Sequence, residues 1–340
     1  MRYRLLGRSG MSVSVLSLGT VFYGTQVPAA DAVPIIHAAL DRGVNFVDTA
    51  EIYTRPDYGA AETVLGQALG SRRHDVVLAT KKRYDPAQFR TGTPADHGLS
   101  RRHIVAAIEG SLRRLRTDYV DLYYPHHVDP DVALEETLRA FDDLLRAGKV
   151  RAIGLSNYPA WLTVEALWIA DRRSFAPVVC VQTLYNLLDR SLERELGPAC
   201  ARHGVALVPY SPLAGGVLTA KYGAQAAPAA LSRNRAAVVG HTRDGRPSHI
   251  PLLNERTLAA ADRLAAVVGD LGLTPSQAAL AWTVHQPGVA SVIMGASSVA
   301  QLAENLAAAD VALDGEAQRR LEAAVDGMAP PPAPGAGSPR

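Results

Sequence analysis

Residues 101–127 read RRHIVAAIEGSLRRLRTDYVDLYYPHH. Ile104, Ala107, Ile108, Leu112 and Leu115 recur at three- and four-residue spacing, the period of a helix with one apolar face. The run 120–123 that follows is short and rich in β-forming residues, so it reads as a strand. A helix feeding a strand is half of a parallel crossover, and the same unit recurs on both sides of this stretch. Strand-type runs fall at 16–19, 45–48, 76–80, 120–123, 152–155, 178–181, 206–209 and 291–294. Helical patterns separate them at 32–42, 60–69, 101–115, 134–147, 159–173 and 192–203. Eight strands in alternation with helices predict an α/β fold closed as a (β/α)8 TIM barrel. An open doubly wound sheet is the rival. It would carry phosphate-binding glycines at its first strand-to-helix turn, and the sequence holds no GxGxxG.

Three segments depart from the alternation. Residues 3–6 and 12–15, joined by 7–10, read as an N-terminal β-hairpin that closes the barrel bottom. Residues 213–251, after the seventh strand, are long and rich in Gly, Ala, Arg and Pro, as functional loops of compact domains are. Residues 329–340 form a Pro/Gly-rich tail with no apolar period, expected to be disordered. The domain reading is one barrel over 1–328 followed by that tail.

A net charge of +2 spread over 340 residues gives no basic face for nucleic acid. Cys180 and Cys200 are the only cysteines, too few for a disulfide framework or a thiolate metal cluster, and no metal site is expected. No stretch approaches the ~20 apolar residues of a membrane span, and MRYRLLGRSG lacks the apolar region of a signal peptide. The expectation is a cytoplasmic protein with no membrane partner. Its oligomeric state is not legible in the sequence.

In a barrel of this kind, residues at the C-terminal ends of the strands gather at one rim. Here the second strand ends in Asp48, with Tyr53 in the next loop, the third in Lys81, and the fourth runs into Pro125, His126 and His127. Singly, each has an ordinary reading: a helix cap, a packing ring, a solvated ammonium, a rim histidine. Together they meet one chemical need. A phenol with its usual pKa of about 10 releases a proton poorly near neutrality, and a neighbouring ammonium stabilises its phenolate.

The runs NFVDTAEIY (45–53), VVLATKK (76–82), DYVDLYYPHHVDP (118–130), AIGLSNY (152–158), VQTLYNLLDR (181–190), PYSPLAGGVLTAKY (209–222) and VIMGASSVAQLAENL (292–306) resemble, in order, the signature segments of the aldo-keto reductases. The resemblance is nearest to the branch with bacterial aldehyde and keto-sugar reductases and the β subunits of voltage-gated potassium channels. It implies reduction of a small-molecule carbonyl by NADPH: Tyr53 as general acid, Lys81 acidifying it, Asp48 pairing with Lys81, and neutral His126 orienting the carbonyl oxygen. Tyr53, not Tyr58, stands at the family's step from Asp48. Lys82 falls where the family usually has a small or apolar residue.

The same resemblance assigns the cofactor. Thr20 and Asp48 stand at its nicotinamide end, where Ser156, Asn157 and Gln182 hold the carboxamide and Tyr210 stacks on the ring. Ser211, Pro212, Leu213, Gly215 and Lys221 meet the pyrophosphate, and Arg233 covers it as a clasp. Gly295, Ser297, Gln301, Glu304 and Asn305 take the adenosine end. Many family members hold the 2′-phosphate with a lysine and an arginine where this chain has Gly295 and Gln301; the related branch keeps NADPH with a glycine, a serine and a glutamine, so NADPH is favoured and NADH stays open. Substrate-facing candidates are Tyr23, Tyr84, His127, Tyr158 and Trp161, on or near the loops 26–31, 84–98, 127–131 and 213–250. Two alternatives stand beside a generic carbonyl reductase: a reductase of nucleotide-activated keto-sugars, and a non-catalytic NADPH-binding subunit like the channel β subunits. In those subunits the position matching His126 is asparagine.

Overall fold

The computed structural model of the chain describes residues 1–54, 57–82, 98–221 and 255–326. Tyr84, Arg233 and the tail 329–340 lie outside the described residues. Ten strands are present among the described residues: β1 (Tyr3–Leu5), β2 (Ser12–Ser14), β3 (Leu16–Gly19), β4 (Phe46–Asp48), β5 (Val77–Lys82), β6 (Val120–Pro125), β7 (Val150–Ser156), β8 (Val178–Leu184), β9 (Ala206–Tyr210) and β10 (Val292–Met294). The helices are α1 (Ala29–Asp41), α2 (Ala60–Leu69), α3 (Arg101–Leu115), α4 (Leu134–Arg146), α5 (Ala160–Arg173), α6 (Leu196–His203), α7 (Glu255–Asp270), α8 (Pro275–His285), α9 (Val299–Ala307) and α10 (Gly315–Val325).

β3 to β10 form one parallel sheet in the order β10-β3-β4-β5-β6-β7-β8-β9. The last gap is narrowed by a parallel bridge between Leu207 and Val289, where Leu207 N donates to Gly288 O and Ala290 N to Leu207 O, each at 2.9 Å. The result is a nearly closed (β/α)8 barrel. Side chains alternate across each strand, so every second residue points inward. Phe46, Ala79, Leu122, Tyr124, Ala152, Cys180, Ala206, Val208 and Ile293 fill the interior. The intervening residues, with Val47, Leu78, Tyr123, Ile153 and Val181 among them, pack outward against the helices. Truncating an interior residue such as Leu122, which is fully buried, to alanine is expected to cost about 2–5 kcal/mol.

β1 and β2 pair antiparallel, Leu5 opposite Ser12, and the hairpin sends Leu6 and Val13 into the interior cluster. Its turn presses on the start of β8: a Cβ on Gly7, whose φ is +56°, would lie 2.1 Å from Val179 O. The hairpin therefore plugs the barrel end opposite the strand C-termini. Capping fixes the helix starts. Ser100 accepts from His103 N at the head of α3. Thr274 and Gln277 form a reciprocal capping box at α8 with Pro275 in the first turn.

Helices 60–69 and 101–115 fall where the apolar period puts them. The strands run longer than their apolar runs: β5 continues through Lys82, β6 through Pro125, β8 through Leu184. The ladder pairs Lys81 with Tyr124 and Lys82 with Pro125, so backbone pairing persists where the sequence turns polar. The segment read as one helix over 192–203 is instead a 3-10 turn, Ser191–Arg194, followed by α6.

Candidate active site

Alternation places the polar strand ends on the same inward face as the core below them. Asp48 follows Phe46 by two residues, Lys81 follows Ala79, His126 follows Tyr124, Gln182 follows Cys180 and Tyr210 follows Val208. Lys81 lies at the centre. Its Nζ donates to Asp48 Oδ1, to Thr49 O at 2.8 Å and to Tyr53 Oη at 3.0 Å, which uses all three of its donors. The other carboxylate oxygen of Asp48 accepts from Gln182 Nε2 at 2.8 Å. Asp48 and Lys81 are buried, where opposite charges act on each other with little screening. Burial pushes the Asp48 carboxyl up, against the pull of Lys81 and Gln182. Burial alone would lower Lys81, but the Asp48 carboxylate and the Tyr53 oxygen outweigh it and hold the ammonium above the usual lysine value.

Burial pushes Tyr23, Tyr124, Tyr158 and Tyr210 upward. Tyr124 lies under the rim with Lys81 Nζ 5.9 Å from its ring centre and its hydroxyl 3.5 Å from Cys180 Sγ. It fits because residue 154 is glycine: a Cβ there would stand 2.4 Å from Tyr124 Cε1 and 2.9 Å from Cys180 Sγ. Tyr53 differs in having an ammonium within hydrogen-bond distance. The His126 ring meets it edge-on at 5.9 Å between centroids, and His127 stacks on His126 at 5.1 Å. Tyr58 is exposed. Lys82 is on the outward face of β5, paired with Glu51 at 2.6 Å.

The residues expected at a dinucleotide form a track away from this point. Ser156 and Gln182 are register partners on β7 and β8. Ser156 Oγ accepts from Asn157 Nδ2 at 3.0 Å and so has its proton to offer. Gln182 gives its N–H to Asp48 and so has its carbonyl oxygen to offer. One donor and one acceptor side by side match a carboxamide. Asn157, held at φ +60°, also donates to His126 O at 2.9 Å and accepts from Tyr210 Oη at 2.7 Å. With that hydroxyl engaged, Tyr210 has its half-buried ring to offer. Beyond it Ser211, Ala214, Gly215 and Gly216 all have positive φ, which turns the backbone of 211–216 sharply around Pro212 and Leu213, with Lys221 exposed just after it. At the far end Ser298 caps α9, accepting from Gln301 N at 3.1 Å. Gln301 Oε1 accepts from Ser297 N at 2.7 Å and Ser297 Oγ at 3.0 Å. A Cβ on Gly295 would meet nothing within 4 Å. This donor set, ending on a helix N-terminus in open space, fits a dinucleotide.

Other expected contacts are engaged within the protein. Thr20 donates through N and Oγ1 to Asp48 O, at 3.1 and 3.2 Å, and so fixes the backbone of the acid. Asn305 Nδ2 ties the loop at Gly295 O, 3.0 Å away, and Glu304 accepts from Thr274 Oγ1 at 3.0 Å. Tyr23 is buried with its hydroxyl on Ala296 O at 3.1 Å, and Tyr158 is buried in the outer core. Trp161 is exposed in the first turn of α5. His127 is half-buried against His126. Of the expected substrate contacts, only His127 is joined to the rim by a ring contact among the described residues. The sequence reading missed Thr49 O and the Glu51–Lys82 pair; the signal was two consecutive lysines on a strand, which alternation sends to opposite faces, each in need of an acid.

Fold and rim together define the class: a parallel (β/α)8 barrel with a buried ammonium between a carboxylate and a phenol at its strand ends. The Aldo/keto reductase family pattern matches residues 15–326, and the chain belongs to that family, whose members are NAD(P)H-using oxidoreductases. It is 39% identical over 321 residues to the "Probable voltage-gated potassium channel subunit beta" of Arabidopsis thaliana, covering 92% of each chain. It is 36% identical over 326 residues to the "Uncharacterized oxidoreductase YrpG" of Bacillus subtilis, covering 94% of this chain and 95% of that one. To "Protein tas" of Escherichia coli the identity is 34% over 346 residues, with 95% and 97% covered. Among the described residues no single helix is long and apolar enough to cross a membrane, and no group of three or more metal-binding side chains gathers.

Proposed function

We propose that the chain is an NADPH-dependent reductase of aldehydes or ketones in which Tyr53 is the general acid. The observation that carries this reading is the position of Lys81 Nζ, 3.0 Å from Tyr53 Oη and paired with buried Asp48. The cofactor, when bound, supplies the hydride that reaches the carbonyl carbon. The carbonyl oxygen gains electron density as that happens, and Tyr53 Oη delivers the proton it needs. Lys81 stabilises the phenolate left behind, and Asp48, itself held by Gln182, keeps Lys81 charged and in place. His126, edge-on to Tyr53, donates to the same oxygen and orients it. Ser156 and Gln182 would hold the carboxamide, with Asn157 bracing Ser156 and Tyr210 beside it, and Tyr210 would stack against the ring. The turn 211–216 and Lys221 take the pyrophosphate. Among the described residues Ser297 and Gln301, with Gly295, would accommodate the 2′-phosphate, and this neutral set is compatible with some use of NADH.

The rival is a regulatory subunit that binds NADPH with negligible turnover, favoured by the similarity to the Arabidopsis channel subunit. NADPH oxidation with a panel of aldehydes and ketones separates the two. Turnover with at least one carbonyl supports the reductase, and tight NADPH binding with no turnover across the panel refutes it. Activated keto-sugars belong in that panel, since the HHVD run at 126–129 resembles reductases that act on them.

A further inference from the structure

β5 presents two lysines in succession, and only the inward one has a place in the chemistry above. Lys82 points the other way, yet its side chain is only 1% exposed. A buried ammonium without a counter-charge is costly, and Glu51 Oε1, 2.6 Å away, supplies it. Glu62, a buried acid of the same region, is already matched by Arg114 Nε at 2.7 Å and Thr80 Oγ1 at 2.6 Å. Glu51 is in the loop that carries Tyr53. On the inner side Lys81 Nζ holds that loop at Thr49 O, 2.8 Å away; on the outer side Lys82 holds it at Glu51. Just beyond the two grips, Tyr53 N donates back to Ala50 O at 3.2 Å, and Thr54 follows with φ +71°.

We propose that Lys81 and Lys82 grip the loop 49–54 from both faces of β5, and that the Glu51–Lys82 pair positions Tyr53 for proton transfer. The loop grip stands on geometry alone; its effect on rate rests on the reductase reading above. Glu51 and Lys82 are positioning residues, acting through the placement of the phenol.

The test compares Lys82→Met, the double variant Glu51→Gln/Lys82→Met, and Lys82→Arg with wild type. The double variant removes both charges and so avoids a lone buried ion. Hydrogen exchange of the amides of residues 50–54 is expected to quicken about tenfold or more in Lys82→Met and in the double variant, a loss of about 1.4 kcal/mol of local protection. Misplacing a reacting group by about 1 Å can cost ~10²-fold, so kcat is expected to fall about 10- to 100-fold in both. NADPH affinity should stay within about twofold, because no contact of the track described above is altered. Lys82→Arg keeps the charge and should retain most of the rate. Unchanged exchange over 50–54 in the double variant overturns the proposal, as does a Lys82→Arg variant as slow as Lys82→Met. If wild type turns over no carbonyl, the reductase reading fails while the exchange measurement still decides the grip.

Discussion

The inner rim of the barrel and the loop that opens α9 handle charge in opposite ways. At the rim a carboxylate and an ammonium are fully enclosed and hydrogen-bonded to each other, to the Tyr53 hydroxyl and to Gln182. At the α9 loop Ser297, Ser298 and Gln301 are neutral and bonded to one another in a solvent-facing turn. In the proposed reaction a proton is released at the first place, and a full charge in a dry site acts strongly on a neighbouring phenol. In the same proposal the second receives a solvated phosphate, for which neutral polar groups at a helix N-terminus suffice. On the proposed function, enclosed charge serves the reaction and exposed dipoles serve recognition.

Removing the charge at the rim is the severest way to break this contrast. Lys81→Met is expected to lower kcat about 10³-fold, within the range of general acid–base catalysis. It should also cost about 3–5 kcal/mol of unfolding free energy, because Asp48 is left buried without its partner. Steady-state kinetics and denaturant titration measure both. The same pair sets an alkaline limit. Lys81 is held above its ordinary value of 10.5 by Asp48 and Tyr53, which outweigh burial. Its stabilisation is complete below that value and is lost as pH rises through the folded-state pKa. The stability gap between wild type and Lys81→Met should therefore narrow above pH 10.5 and stay constant between neutrality and pH 9.

Two glycines sharpen the comparison at a smaller scale. A Cβ on Gly154 collides with the Tyr124 ring and Cys180 Sγ, whereas one on Gly295 meets nothing. Gly154→Ala is expected to destabilise by about 1–3 kcal/mol and Gly295→Ala by about 0.5 kcal/mol or less; thermal unfolding compares them. The smallest expected effect is a gain. Gln301→Arg places a cation at the neutral end and should raise the preference for NADPH over NADH about tenfold, equivalent to about 1.4 kcal/mol, in kcat/KM.

What the sequence made legible follows from what periodicity measures. It reports burial on one face, so α2 and α3, each with a clean apolar stripe, were readable residue for residue. It does not report backbone pairing, so β5 and β6 read as ending at Thr80 and Tyr123, although the ladder runs on through Lys82 and Pro125. Those extra residues include Lys81, since an active rim is where strands stop being apolar. The choice of Tyr53 over Tyr58 and of Lys81 over Lys82 came from the resemblance to the family's motifs. The engagement of Gln182 with Asp48, of Thr20 with the Asp48 carbonyl, and of Tyr210 with Asn157 was not, because each joins residues on different strands whose angular placement only the closed barrel sets. Glu51 was missed because an acid in a loop reads as solvated until a buried cation is found facing it.

The most direct test of the central claim is a Tyr53→Phe variant assayed for carbonyl reduction alongside its NADPH dissociation constant. The account predicts a loss of turnover of about 10²–10⁴-fold with NADPH affinity within about twofold of wild type. Turnover equal to wild type at saturating NADPH would contradict it.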